Sequence, residues 1–132
     1  MRITRYQTVT YDEEVPKSLE GFRNWEFSSG GTTGQDFKIF ARLFKKEIER
    51  QLPGDVQLLK FSAGHYYVSG FIYRNNRYVY FSISDVRHFP GGWYDNILIR
   101  TAKSDGDYTG GCNNYTQLRD FGEKAVYLLG NE

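Results

Sequence analysis

The sequence is short of the residue types on which disulfide, metal and nucleophilic chemistry depend: Cys112 is its one cysteine, and His65 and His88 are its two histidines, in 132 residues. A lone cysteine excludes an intramolecular disulfide, and neither histidine has a partner at metal-ligand spacing. No apolar run approaches the ~20 residues of a membrane-spanning helix, and the opening "MRITRYQTVTYDEE" lacks the apolar core of a secretory signal. These absences predict a cytoplasmic protein with no cofactor and no membrane partner. An excess of charge of one sign is missing too, because 17 Lys and Arg face 16 Asp and Glu. No overall field draws the chain to nucleic acid, so an electrostatic partner must be met by local clustering.

What is abundant is aromatic. The chain holds 11 Tyr and 10 Phe, while its single Met is the first residue. Large side chains of this kind favour sheet over helical bundle. The length suits one domain spanning residues 1–132, with a core that needs no staples.

Periodicity divides the chain into elements. Residues 3–11 alternate and are rich in β-branched and aromatic side chains, which predicts a strand, and a short strand is expected at 25–27. From 34 to 52, at ~100° per residue, Phe37, Phe40, Ala41, Phe44 and Ile48 fall on one stripe. That predicts a helix stopped by Pro53-Gly54, with Thr33 as its N-cap and Asp36 as the capping acid. The period then changes to two: 56–63 reads as a strand, "HYYVSGFIYR-NN-RYVYFSISDV" as a hairpin turning at Asn75-Asn76, and 96–103 as a further strand. "DYTGGCNNYT" reads as irregular. Leu118, Phe121, Ala125 and Leu129 restore helical spacing, with Thr116 as cap and Gly130 past the end, although Gly122 weakens this helix. The expected fold is α+β, a mostly antiparallel twisted sheet of about five strands with two helices against its aliphatic face.

The hairpin register can be laid out from parity. With Arg74 opposite Arg77, the residues Tyr67, Ser69, Phe71 and Tyr73 share one side with Tyr78, Tyr80 and Ser82. The other side collects Val68, Gly70 and Ile72 with Val79, Phe81 and Ile83. A slip by one residue would exchange the two faces, so the coherence of the aliphatic set fixes the pairing.

Several stretches invite a chemical reading. "SSGGTTGQDF" (28–37) places glycines before a helix, but the Lys and Ser/Thr of a P-loop are replaced by Gln35 and Asp36, so a plain capping turn explains it. A lone anion on the amides of Thr33, Gly34 and Gln35 is the alternative. Asp105 and Asp107 resemble the start of a calcium loop, but the later acidic ligand is missing.

Two surfaces remain as binding candidates. Tyr67, Phe71, Tyr73, Tyr78 and Tyr80 form an aromatic stripe with Arg74 and Arg77 at the turn, a composition suited to stacking single-stranded nucleic acid or to anchoring a protein partner. Burial of this stripe under another element is the plain alternative. On the first helix, Lys38, Arg42, Lys45 and Lys46 form a basic stripe relieved only by Glu47 and Glu49, and its far flank carries Ile39 and Leu43.

The segment 61–116 contains "YVSGFI", "YFSISDVR", "ILIRTAK" and "DYTGG-NNYT", and with these it resembles a group of small proteins encoded by phages and integrative elements of Gram-positive bacteria. The resemblance covers somewhat under half of the chain and brings no catalytic residue with it. It implies a compact accessory protein of a mobile element that acts in the bacterial host cell by binding host machinery or nucleic acid, including anti-CRISPR-like or anti-restriction-like inhibition of a defence nuclease. A module that binds single-stranded or structured nucleic acid is the second expectation. The third is an enzyme centred on Cys112 with His65 or His88.

Overall fold

The computed structural model describes residues 19, 22, 35–63, 67–83, 93–109 and 111–130. Helix α1 runs Gln35–Gln51. Strands β1 (Gln57–Ala63), β2 (Val68–Arg74), β3 (Arg77–Ile83), β4 (Ile97–Ala102) and β5 (Asn114–Thr116) follow, and α2 (Phe121–Leu129) ends the described chain. The strands form one open sheet in the order β1-β2-β3-β4-β5, and every pairing is antiparallel. The fold is therefore α+β, as the periodicity implies. Among the described residues no helix is long and apolar enough to cross a membrane.

The core lies between the helices and the aliphatic side of the sheet. On α1, Phe37, Phe40, Ala41, Phe44 and Ile48 are all buried, as their spacing requires. Phe40 and Phe44 stack with centroids 5.9 Å apart, and both meet the buried Trp93 edge-on, at 4.9 and 6.0 Å. Trp93 donates its indole N–H to the Phe22 carbonyl at 3.0 Å, so its one polar atom is satisfied inside the apolar cluster. Val68, Ile72, Val79, Phe81 and Ile83 face this cluster from the sheet, joined by Ile97 and Ile99 of β4.

The hairpin register is the one that parity demands, from Val68 opposite Ile83 to Arg74 opposite Arg77. Asn75 and Asn76 both take the left-handed conformation, φ 53° and 65°, which a two-residue turn matched to the strand twist needs. In β1 the pairing shifts between Leu59 and Ser62, and Lys60 sits there with φ 53°. This bulge lets Leu58 and Phe61 both lean on the core.

The strands expected at 3–11 and 25–27 and the Thr33 cap lie outside the described residues. Toward the other end the structure differs from expectation: Asn114–Thr116 is a strand inside the stretch that reads as irregular, because three residues are too few to display alternation. Thr116 consequently closes β5 and does not cap a helix; a 3-10 turn, Leu118–Asp120, intervenes before α2.

The start of α2 is capped from another helix. Gln51, the last residue of α1, accepts the Gly122 N–H on its side-chain oxygen at 2.7 Å and donates to the Leu118 carbonyl at 2.8 Å. Its amide also donates to Glu47 at 2.9 Å, and Glu47 is held by two further bonds from Arg50, at 2.6 and 3.0 Å. The Arg50 guanidinium is raised above its ordinary pKa by the hydrogen bond to Glu47 and then by its charge. Gly122, unfavourable for a helix by propensity, is what permits this approach: a Cβ there would lie 2.6 Å from the Gln51 carbonyl oxygen. Gly122→Ala is therefore expected to destabilise the fold by about 1–3 kcal/mol, the usual cost of overpacking, read as a lower urea midpoint. Gln51→Leu should cost a similar amount, about 1–3 kcal/mol, by stranding a buried donor and a buried acceptor.

Candidate functional site

The side of the sheet turned away from α1 carries the stripe that parity places there, extended by the outer strands. Leu59 and Ser62 of β1 continue it on one flank, and Leu98, Arg100 and Ala102 of β4 with Tyr115 of β5 continue it on the other. Three serines align across three strands, Ser62 opposite Ser69 and Ser69 opposite Ser82. No described helix covers this side.

The segment between β4 and β5 does cover part of it. Tyr108 reaches back over the sheet and packs edge-on against Phe71 at 5.3 Å and Tyr80 at 5.6 Å. Phe71 is fully buried as a result, and it packs on Tyr80 at 5.2 Å. Nearer the hairpin turn, Tyr73 and Tyr78 pack at 4.9 Å and stay half-buried, with the Tyr73 hydroxyl donating to Asn76 at 3.1 Å. The stripe is thus neither fully open nor sealed beneath a helix. Tyr67, Tyr108 and Tyr115 are its exposed members, at 43%, 53% and 62%.

Arg100 holds the covering segment in place. Lying opposite Tyr80, it is only 7% exposed, and its guanidinium carbon sits 4.6 Å from the Tyr80 ring centroid. One terminal nitrogen donates to Asn113 at 3.1 Å and the other to the Tyr108 carbonyl. Its Nε has no hydrogen-bond partner. One side chain therefore pins the crossing segment at its middle and at its far end.

The two close carboxylates serve the same segment. Asp107 accepts the backbone N–H groups of Lys103 and Thr109 at 2.9 and 3.2 Å, closing a turn. Asp105 pairs with Lys60 across the sheet at 3.6 Å. Asp107 thus organises backbone and Asp105 meets an ammonium, and among the described residues no three His, Cys, Asp or Glu are grouped to hold a metal ion.

The remaining candidates are dispersed. Arg74 and Arg77, expected to border the aromatic stripe, belong by parity to the helix side. Arg74 pairs there with Asp55 at 3.6 Å, and Arg77 donates to the Leu129 carbonyl of α2 at 3.3 Å. Lys38, Arg42, Lys45 and Lys46 are all exposed on α1, across the sheet from the tyrosines, and the Lys45 ammonium lies 5.6 Å from the Phe61 ring centroid. Glu47, expected to relieve that stripe, is turned inward and buried. Of its far flank, Leu43 packs on the core and Ile39 is half-buried. Cys112 is an exposed free thiol, while His65 and His88 lie outside the described residues, as do Thr33 and Gly34 of the helix start; Gln35 opens α1.

Beside the serines, Ser62, Tyr67, Ser69, Tyr80, Ser82 and Tyr108, with Ile83 at one end, line a depression of about 340 Å³. Ser69, Ser82, Tyr67 and Tyr80 follow from hairpin parity, whereas Ser62 is placed by the β1–β2 register, which the bulge shifts. Tyr108 and Arg100 do not follow from parity, because one lies in a segment without periodicity and the other needs the β3–β4 register to be placed.

Replacing Arg100 by Met should loosen the covering segment first. Amide hydrogen exchange at Lys103 and Thr109 is expected to rise by about tenfold or more while β2 amides stay protected, the pattern of a local opening.

Comparison with protein-family models, with curated proteins and with solved structures yields no match, so the reading of this face rests on its own geometry.

Proposed function

We propose that this chain acts by binding another macromolecule, and that the tyrosine- and serine-rich side of the sheet docks a protein partner. One observation carries the reading: exposed Tyr67 and Tyr108 line a hollow with three small hydroxyl residues, and exposed Tyr115 stands farther along the same side of the sheet, on a face that no described helix occupies. Tyrosine offers large, rigid, amphipathic contact area at low entropic cost, and serine beside it supplies adaptable hydrogen bonds, the combination that antibody paratopes use. Such rings also serve as energetic anchors at interfaces. The resemblance to phage and integrative-element proteins extends the proposal to the partner, a host defence complex whose nuclease activity is blocked.

The distribution of charge favours protein over nucleic acid. Single-strand binders interleave stacking rings with free cations, whereas here the basic stripe of α1 and the turn arginines lie on the opposite side of the sheet from the tyrosines.

The test is co-elution with candidate defence nucleases, followed by inhibition of their cleavage. Tyr67→Ala and Tyr115→Ala are each expected to weaken the complex by roughly 10- to 30-fold, the scale of an anchor residue. Charge reversal at Lys38 and Arg42 should change affinity little. If the reversal abolishes binding while the tyrosine variants keep it, α1 is the docking surface; if nuclease digestion of the sample removes the complex, the partner is nucleic acid.

A further inference from the structure

We infer that the hollow over the three serines is a binding site for a free mononucleotide, with the phosphate group over the serines and the base against the tyrosine rings. This goes beyond macromolecular docking and does not depend on it.

The hydroxyls provide the first argument. Among the described residues, none of the six hydroxyls of Ser62, Tyr67, Ser69, Tyr80, Ser82 and Tyr108 is hydrogen-bonded to a protein group, although Ser69 and Ser82 are only 9% and 7% exposed. The two serines are largely enclosed, while their hydroxyl oxygens stay accessible and so are open to a ligand. The six residues line one cavity, and each hydroxyl can donate.

Charge supplies the second. No carboxylate lines the hollow among the described residues, so nothing there repels an anion. One ring away, the buried Arg100 guanidinium lies against the Tyr80 ring and hydrogen-bonds only to the neutral oxygens of Asn113 and Tyr108, with its Nε unpartnered. A buried cation without a counter-charge is costly and sets up a positive potential around it. An oxyanion over the serines would answer both the charge and the idle donors.

Spacing and shape narrow the class. Adjacent strands lie ~4.8 Å apart, so neighbouring serine hydroxyls stand at a separation that one phosphate group spans with two hydrogen bonds of about 2.7 Å. Serine and tyrosine hydroxyls are common phosphate donors. Tyr67, Tyr80 and Tyr108 meanwhile offer flat faces of the kind on which nucleobases stack. A volume of about 340 Å³ accommodates one ring system with its sugar and phosphate.

The experiment is calorimetric titration of the full chain with adenosine 5′-monophosphate, adenosine, inorganic phosphate and a short single-stranded oligothymidylate. The monophosphate should bind about tenfold or more tightly than adenosine, because only it brings the charge-assisted bonds. The double variant Ser69→Ala, Ser82→Ala should lose about tenfold in that affinity with an unchanged melting temperature, since neither hydroxyl has a protein partner to lose. Arg100→Met should weaken the monophosphate by more than it weakens adenosine, because both lose the Tyr108 ring as its segment loosens but only the monophosphate loses the nearby positive charge. The assignment is overturned if the folded protein shows no heat with millimolar monophosphate, if adenosine binds equally well, or if the serine variant retains full affinity. It is also overturned if the oligothymidylate binds tighter in proportion to its length, which would make the hollow part of a strand groove. Partner docking is read separately, through Tyr115 at the far edge of the sheet.

Discussion

The structure depends on strict alternation in the β2–β3 hairpin. Each strand sends its apolar side chains to one side and its hydroxyl-bearing and aromatic side chains to the other, and the turn at Asn75-Asn76 locks the two strands in the pairing that keeps these sets apart. A period of exactly two leaves no intermediate: one step of slip would place Val79 and Phe81 in water and Tyr78 and Tyr80 against α1. Everything else is attached to this ribbon. The helices are held by its apolar side, and the segment carrying Tyr108 is held by the other.

The two sides are finished by different means. Toward the helices the contacts are dispersive and aromatic, with Trp93 wedged among Phe40 and Phe44. The junction between α1 and α2 adds a short polar network in which Gln51 serves a distant helix as a cap, a role usually taken by the residue preceding the helix. On the opposite side a single arginine fastens a crossing segment through main-chain and amide oxygens. Dispersion tolerates small adjustments, but a strap held by one guanidinium is either fastened or released.

How far the sequence could be read follows from this division. The helix of Phe37, Phe40, Phe44 and Ile48, the hairpin and its two faces, and β4 were all legible, because each repeats a period over enough residues to be distinguished from chance. β5 was not, since Asn114–Thr116 is a strand only by virtue of lying beside Ile97–Ile99. Gly122 reads as a defect along the chain and becomes a requirement once Gln51 is seen against it. Glu47 reads as surface charge, and only its place between Arg50 and Gln51 shows why a carboxylate is tolerated inside. At the candidate site the tyrosines and serines of the hairpin were visible by parity, whereas Ser62, Tyr115, the roof and its fastening arise from pairings and contacts between residues that share no local pattern.

The inward turn of Glu47 changes the electrical character of a chain whose formal charges nearly cancel. With that carboxylate already neutralised by Arg50, the outer surface of α1 shows Lys38, Arg42, Lys45 and Lys46 to solvent. An anionic group approaching that helix face meets four cations relieved only by Glu49, one acid fewer than the linear order of residues suggests.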